Sequence, residues 1–306
     1  MPELKKFGFV LDAVSFDPPM DSSDIGPDVW VKLAMIIYEK YNDYDGFVIL
    51  HGTDTMAYSA SALSFILGNL AKPVIFTGSQ LPIGTLRTDG KENIITSIEI
   101  AAAREGMKPL VPEVCIYFEN RLYRGNRTTK INTENFNAFQ SANYPALAEV
   151  GINIRYNREA ILYPREDKPL ELNTEFDNHI AILKLFPGMN REFIDSILGI
   201  SGLKGVILET FGSGNAPASE WFLKRIRRAV ENNIIVLDIT QCNTGTVALG
   251  RYETSRKLYE AGVISGYDIT TEAATTKMMS IFGNHKEPEK IKLLLNSSLK
   301  GEITIT

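Results

Sequence analysis

Two short polar segments in the first half of the chain carry side chains that could act on a ligand. Residues 51–55 (His-Gly-Thr-Asp-Thr) follow an apolar run at 47–50, and residues 77–80 (Thr-Gly-Ser-Gln) follow another at 74–76. Ligands of open parallel sheets bind at the carboxyl ends of the strands, so both segments are candidates for a site. Because residues 51–55 also open a predicted helix, their amides and hydroxyls could face an anionic or amide-bearing ligand.

Thr53 and Asp54, inside the first segment, allow two interpretations. Threonine and aspartate are preferred helix N-caps, and most such pairs are only that. Alternatively, a partly desolvated lysine near a carboxylate can accept the proton of a threonine hydroxyl, which is otherwise a weak nucleophile. Lys130, which ends the segment Arg-Gly-Asn-Arg-Thr-Thr-Lys at 124–130, is the candidate lysine. The sequence alone does not bring these residues together, and most lysines are solvated.

Other kinds of site are disfavoured. The histidines His51, His179 and His285 are isolated and show no metal-ligand spacing, so no metal site is expected. No nucleophile elbow, Walker loop or dinucleotide fingerprint occurs in the sequence. Residues 211–215 (Phe-Gly-Ser-Gly-Asn) could cradle a phosphate, but a tight turn is the commoner structure of a lone glycine-rich run.

The length and net charge of the chain limit the number of domains and the class of partner that it can have. A chain of 306 residues is long enough for about two domains, each with its own core. The 32 basic and 37 acidic side chains give a net charge of -5, which repels a phosphate backbone. We therefore expect a small-molecule partner and no nucleic acid.

The cysteines and the hydropathy of the chain indicate the cellular compartment in which the protein is expected. Cys115 and Cys242 are far apart in sequence and cannot build a multi-bridge framework, which favours a reducing compartment. The first residues lack the apolar core of a secretory signal, and polar residues interrupt the longest charge-free stretch, at 55–71. We expect a cytoplasmic protein with no membrane partner.

Apolar runs of four or five residues alternate with amphipathic stretches, which indicates βαβ units around parallel sheets. Ten of the 23 residues at 155–177 are charged and two are proline, so this segment is predicted to lie outside a core. We place a first α/β domain at 1–154, a linker at 155–178 and a second α/β domain at 179–306. The predicted strands cover 47–50, 74–76, 114–118, 180–185, 205–208 and 234–237, and the predicted helices cover 57–67, 93–104, 191–198, 219–232, 271–282 and 286–296.

Five segments together carry a family resemblance. They are residues 20–24 (Met-Asp-Ser-Ser-Asp), 45–58 with the motif His-Gly-Thr-Asp-Thr-Met, 72–80, 124–130 and 212–217 (Gly-Ser-Gly-Asn-Ala-Pro). Taken together, the chain resembles bacterial type I, cytoplasmic L-asparaginases over almost all of its length. The histidine-to-methionine motif is highly specific in this context.

The resemblance implies a fold, an assembly and a reaction. The fold would be two α/β domains with mainly parallel sheets, in homodimers or homotetramers whose active sites lie near subunit interfaces. The reaction would convert L-asparagine to L-aspartate and ammonia without a metal or organic cofactor. Thr53, Asp54 and Lys130 would form the catalytic group, and Asp21 and Ser22 would join Thr53 and Asp54 in binding the substrate. Ser79 and Gln80 would be structural neighbours.

One departure from the family concerns the nucleophile. Type I enzymes open with a strand and a Thr-Gly-Gly-Thr-Ile segment that carries the usual nucleophile, and this segment does not occur in the 306 residues. Since a sheet without its central strand is costly, we expect an incomplete sequence whose folding and activity are impaired. The alternative is a homologue that binds an amino acid without turnover. An amidotransferase subunit is disfavoured, because the acidic chain offers no basic surface for tRNA.

A second departure leads to a prediction about regulation. Some type I enzymes bind a second asparagine through an arginine before the glycine-rich turn, and Glu209 stands at that position here. A carboxylate would repel the effector's carboxylate, so no allosteric control by asparagine is expected at this place.

Calorimetric titration with asparagine should give one non-cooperative binding event per subunit. A second, cooperative event would contradict this prediction.

Overall fold

A computed structural model describes residues 8–165, 168–250 and 253–305. The chain divides into two structural units, of which the first ends at Leu172 and the second begins at Asn173. The boundaries proposed from the sequence, with a linker at 155–178, stay predictions.

The first unit contains a six-stranded sheet that is half parallel and half antiparallel. Its strands, in spatial order, are β1 (Phe47–Leu50), β3 (Val74–Thr77), β6 (Val114–Phe118), β7 (Arg121–Arg124), β10 (Ala148–Val150) and β11 (Ile154–Tyr156). The first three pair in parallel, and the remaining pairs are antiparallel. The three strands predicted here are confirmed, and the βαβ prediction holds for the parallel half only.

The change of direction after β6 has a local cause. Phe118 pairs with Arg121, so Glu119 and Asn120 form a two-residue hairpin loop. Both have positive φ, 41° and 65°. Two central residues with positive φ define the turn that matches the twist of a hairpin. The turn uses asparagine but no glycine, so the sequence carried only a weak signal for it.

The described residues of the first unit form three α-helices: α1 (Pro27–Glu39), α2 (Met56–Ile66) and α3 (Gly90–Ala102). α2 is buried along almost its whole length because its alanines and serines are small. The predicted helices α2 and α3 are confirmed with shifted ends, whereas α1 was not predicted, although proline at its first position is a start signal. Short strand pairs complete the unit: β2 (Leu67–Gly68) with β12 (Glu171–Leu172), β4 (Arg104–Glu105) with β5 (Lys108–Pro109), and β8 (Thr129–Lys130) with β9 (Phe139–Gln140).

The second unit is a parallel sheet covered on both faces. Val206 and Leu208 pack into one apolar cluster, while Ile207 between them packs into the other, as expected for a strand buried on both sides. The two-unit α/β fold class predicted from the sequence is confirmed. The strand order is β13 (Ile180–Lys184), β14 (Gly205–Thr210), β15 (Ile235–Thr240) and β16 (Ile264–Ser265), with helices α4 (Arg191–Leu198), α5 (Glu220–Glu231), α6 (Glu253–Glu260), α7 (Thr271–Asn284) and α8 (Pro288–Leu295). Over the described ranges, no helix is long and apolar enough to cross a bilayer.

Asp238 in β15 is a fully buried carboxyl group in the second unit. Its Oδ1 accepts a hydrogen bond from the Thr210 hydroxyl at 2.7 Å, and its Oδ2 has no partner among the described residues. Burial raises the pKa of Asp238 to about 7, and the Thr210 hydrogen bond offsets only part of that effect. The folded unit therefore holds a proton on Asp238 at pH values where the unfolded chain does not.

This buried carboxyl predicts a stability that falls with rising pH. A raised folded-state pKa stabilises the protein at low pH, and the contribution is lost as the pH climbs from about 4 to about 7. Urea unfolding should show wild type losing on the order of 2 kcal/mol more than Asp238→Asn between pH 5 and pH 7. Asparagine keeps an acceptor for Thr210 and does not titrate. Parallel pH curves for the two proteins would refute the prediction.

Candidate active site

Thr53 and Asp54 lie in the loop between β1 and α2, and neither caps the helix. The N-cap of α2 is Thr55, whose side chain makes no capping bond. The Thr55 hydroxyl instead donates to the backbone oxygen of Ser22 at 2.5 Å. The N-cap interpretation of Thr53 and Asp54 is therefore wrong, and neither side chain is used to cap the helix.

Lys130, at the end of β8, contacts both residues. Its Nζ donates to Thr53 Oγ1 at 2.8 Å and to Asp54 Oδ1 at 2.7 Å. The lysine side chain is 15% exposed and that of Asp54 is 69% exposed. The structure thus brings together the three residues predicted to form a catalytic group, across more than 70 positions of sequence.

The approach of Lys130 depends on the segment between β7 and β8. After the hairpin, the chain runs through a 3-10 turn at Gly125–Arg127 that packs on α2. A Cβ at Gly125 would lie 3.0 Å from the Ala60 Cβ, so the close approach requires the absence of a side chain. Thr128 then bonds back to the oxygen of Arg124 at 2.7 Å, and Lys130 pairs with Phe139 in β9.

Gln80 also contacts Thr53, although the family resemblance implies only a structural role for it. The Thr53 hydroxyl donates to Gln80 Oε1 at 3.1 Å, while Gln80 Nε2 donates to the Asn135 oxygen at 3.1 Å. The carboxylate of Asp89 accepts the Gln80 backbone N–H at 3.0 Å. A glutamine just after a strand end carries no distinctive sequence signal, so this contact could only be found in the structure.

Ser22 lies against the loop that carries Thr53, and Asp21 precedes it at the surface. A Cβ on Gly52 would sit 2.6 Å from Ser22 Oγ, which shows how closely the two backbones approach. The Asp21 carboxylate accepts the backbone N–H and the hydroxyl of Ser23, both at 2.8 Å. These bonds, the backbone one first, lower the pKa of Asp21, so the group is charged at neutral pH.

A chain of hydrogen bonds fixes the start of the same loop. Trp30 Nε1 donates to Ser59 Oγ at 2.9 Å, and Ser59 Oγ lies 2.9 Å from His51 Nε2. His51 Nδ1 is 2.6 Å from the Gly52 oxygen, which can only accept, so the proton sits on Nδ1 and Ser59 donates to Nε2. Burial lowers the pKa of His51, in agreement with a neutral ring. The sequence pattern predicts no specific role for the His51 side chain.

The glycine-rich run at 211–215 is a tight turn. Phe211 N donates to the Asn215 oxygen at 2.9 Å, and Asn215 N donates back at 2.8 Å. Gly212 and Gly214 have φ of 50° and 105°, which favour glycine. The backbone amides of Phe211 and Asn215 already have partners inside the turn. The turn interpretation is therefore preferred to the phosphate cradle.

Glu209 and the cysteines complete the residues singled out by sequence. Glu209 is buried, and its Oε1 accepts the Thr271 hydroxyl at 2.8 Å. Cys115 is buried, Cys242 is exposed, and both are free thiols. Within the described ranges, no group of three or more histidine, cysteine or carboxylate side chains is arranged to hold a metal ion.

The fold and these contacts define a class: a two-unit α/β protein in which a threonine, a lysine and a carboxylate meet beyond the end of a parallel strand. Two family models match the chain, "Asparaginase, N-terminal" over residues 1–162 and "Glutaminase/Asparaginase C-terminal domain" over residues 179–295. The chain belongs to the asparaginase family, which confirms the family named from its motifs, while the expected lack of the N-terminal nucleophile segment stays a prediction.

Relatives include proteins with different names. L-asparaginase 1 of Escherichia coli K12 is 42% identical over 298 residues, which cover 94% of this chain and 83% of the relative. The 60 kDa lysophospholipase of Mus musculus is 40% identical over 289 residues, covering 94% of this chain and 50% of the relative. The crystal structure of L-asparaginase I from Vibrio cholerae matches with a TM-score of 0.91 and 40% identity, covering 100% of this chain and 90% of that one.

The contact between Gly52 and Ser22 predicts the effect of a single methyl group. Gly52→Ala should displace Ser22 and cost about 1–3 kcal/mol of unfolding free energy, because the added Cβ cannot fit at 2.6 Å from Ser22 Oγ. Gly84→Ala is the matched control, since nothing lies within 4 Å of a Cβ there. Urea unfolding and a crystal structure of each variant measure the effect. Equal stability of the two variants would show that the predicted crowding is absent.

Proposed function

We propose that this chain hydrolyses the side-chain amide of L-asparagine to L-aspartate and ammonia. The observation that carries the proposal is the position of Lys130 Nζ, 2.8 Å from Thr53 Oγ1 and 2.7 Å from Asp54 Oδ1, in a member of the asparaginase family. A threonine hydroxyl needs a neighbouring base to attack an amide, and a lysine beside it can act as that base. Membership of the family supplies the class of substrate.

In the proposed first half-reaction, Thr53 is the nucleophile. Lys130 in its neutral form takes the hydroxyl proton as Thr53 Oγ1 bonds to the amide carbon of the substrate. The tetrahedral intermediate then breaks its C–N bond, and the proton on Lys130 passes to the leaving nitrogen, which departs as ammonia. Asp54 stabilises the positive charge that Lys130 carries between these two steps.

In the second half-reaction, water attacks the ester carbon and gives its proton to Lys130. The carbon–oxygen bond to Thr53 breaks, the proton returns to Thr53 Oγ1, and L-aspartate is released. Ser22 and Asp21 would hold the α-carboxylate and α-amino groups of the substrate. The lowered pKa of Asp21 supports this assignment, because a charged carboxylate is the natural partner of an ammonium group.

An amino-acid-binding homologue without turnover is the alternative. It would use Asp21, Ser22, Thr53 and Asp54 as a recognition shell and would bind asparagine or aspartate without releasing ammonia.

We also propose, from the family resemblance alone, a cytoplasmic homodimer or homotetramer whose active sites lie near subunit interfaces. Light scattering of the purified chain tests the assembly.

The proposed reaction predicts that the Thr53 hydroxyl is indispensable. Thr53→Val keeps the side-chain shape and should lower kcat/KM for ammonia release from asparagine by at least about 100-fold, as expected when an essential nucleophile is removed. Lys130→Met should lower it by about 100-fold to 10,000-fold, the usual contribution of a positioned base. Thr85→Val, in an exposed loop, is the matched control and should retain activity.

The outcomes of this assay separate the two proposals. Ammonia release that survives in Thr53→Val would show that another group is the nucleophile. Calorimetric binding of asparagine to a wild-type chain that releases no ammonia would favour the amino-acid-binding homologue.

A further inference from the structure

The amide group of Gln80 has only one orientation that satisfies its neighbours. Gln80 Nε2 faces two backbone oxygens, Asn135 at 3.1 Å and Asn132 at 3.5 Å. A backbone oxygen can only accept, so the NH2 group must point to these residues. The oxygen of the amide is then left to face Thr53, 3.1 Å from its Oγ1.

The backbone of Gln80 is held as firmly as its side chain. The Asp89 carboxylate accepts the Gln80 N–H at 3.0 Å and the Leu81 N–H at 3.3 Å. Asn93 donates from Nδ2 to the same carboxylate at 3.2 Å and to the Gly78 oxygen at 3.0 Å. The acceptor that faces Thr53 is therefore fixed from both ends of the residue.

The hydroxyl of Thr53 has a single proton and two neighbours. A charged Lys130 has no lone pair and can only donate, so the Thr53 proton must then point to Gln80. A neutral Lys130 has a lone pair, and the Thr53 proton can turn to it only by leaving Gln80. Gln80 and neutral Lys130 thus compete for the same proton.

We infer that Gln80 is a positioning residue that directs the Thr53 proton and thereby favours the charged form of Lys130. The inference takes from the proposed function only that Lys130 must deprotonate Thr53. Among the described residues, Asp54 is the carboxylate that ion-pairs with Lys130, and the paired strand β9 offers the uncharged Phe139 and Gln140. Asp54 stabilises the charged Lys130 by direct contact, whereas Gln80 does so through the Thr53 hydroxyl that lies between them.

Two substitutions of Gln80 should move the protonation of Lys130 in opposite directions. Gln80→Met removes the acceptor at similar length, so the Thr53 proton can turn to a neutral Lys130 and the titration midpoint of Lys130 should fall below that of wild type. Gln80→Glu adds a negative charge near the ammonium and should raise the midpoint. A loss of structure alone would not separate the two variants in this way.

The titration can be followed without any activity. NMR of the full chain with 13C-labelled lysine reports each Cε signal against pH, and Lys130→Arg assigns the Lys130 signal. Gln241→Met is the matched control, because Gln241 Nε2 also donates to two backbone oxygens, at 2.7 and 2.8 Å, but in the second unit. Its Lys130 midpoint should equal that of wild type.

Activity provides a second, separable test. The acid limb of the pH profile of ammonia release should shift with the NMR midpoint in each Gln80 variant. A wild-type chain that releases no ammonia would reject the proposed function, and the NMR titration would still decide the role of Gln80. Midpoints that stay at the wild-type value, or that move the same way in Gln80→Met and Gln80→Glu, would overturn the inference.

Discussion

The ammonium group of Lys130 sits between a largely exposed carboxylate and a hydroxyl, and its own side chain is 15% exposed. A cation withdrawn from water needs partners that replace its hydration, and Asp54 and Thr53 supply them at 2.7 and 2.8 Å. Because these partners lie in one loop and Lys130 lies in β8, their attraction joins distant parts of the first unit. The loop and the strand must both be correctly placed before this interaction exists.

The architecture of the first unit can be understood from that requirement. The hairpin at Glu119 and Asn120 reverses the chain after β6, and the Gly125–Arg127 turn then packs on α2. α2 tolerates this approach because alanine and serine line it. Hydrogen bonds also hold the segments around the site: Trp30 donates to Ser59, Ser59 donates to His51, and the Gln80 N–H donates to the Asp89 carboxylate. The bonds at His51 hold the loop that carries Thr53 in place in advance, which lowers the entropy lost in reaching a reactive geometry.

Prediction from sequence succeeded where a signal was local. Apolar runs bounded by glycine, proline and aspartate located the predicted strands β1, β3 and β6 and three of the four strands in the parallel sheet of the second unit, while the two-residue strand β16 was not predicted. The Glu119–Asn120 hairpin escaped detection because no glycine marks it, and so the antiparallel half of the first sheet was not foreseen. Lys130 was connected to Thr53 by the family resemblance, since no periodicity relates residues so far apart. Gln80 and His51 act through contacts that only the folded chain creates.

In the proposed reaction, the Thr53 oxygen, held by Lys130 and Gln80, attacks the substrate carbon. A diazoketone analogue of asparagine, which alkylates an attacking oxygen with loss of nitrogen gas, tests it most directly when followed by peptide mass spectrometry. One covalent adduct per chain is expected, located on Thr53, with no adduct in Thr53→Val. An adduct on a different residue, or no adduct on the wild-type chain, would contradict it.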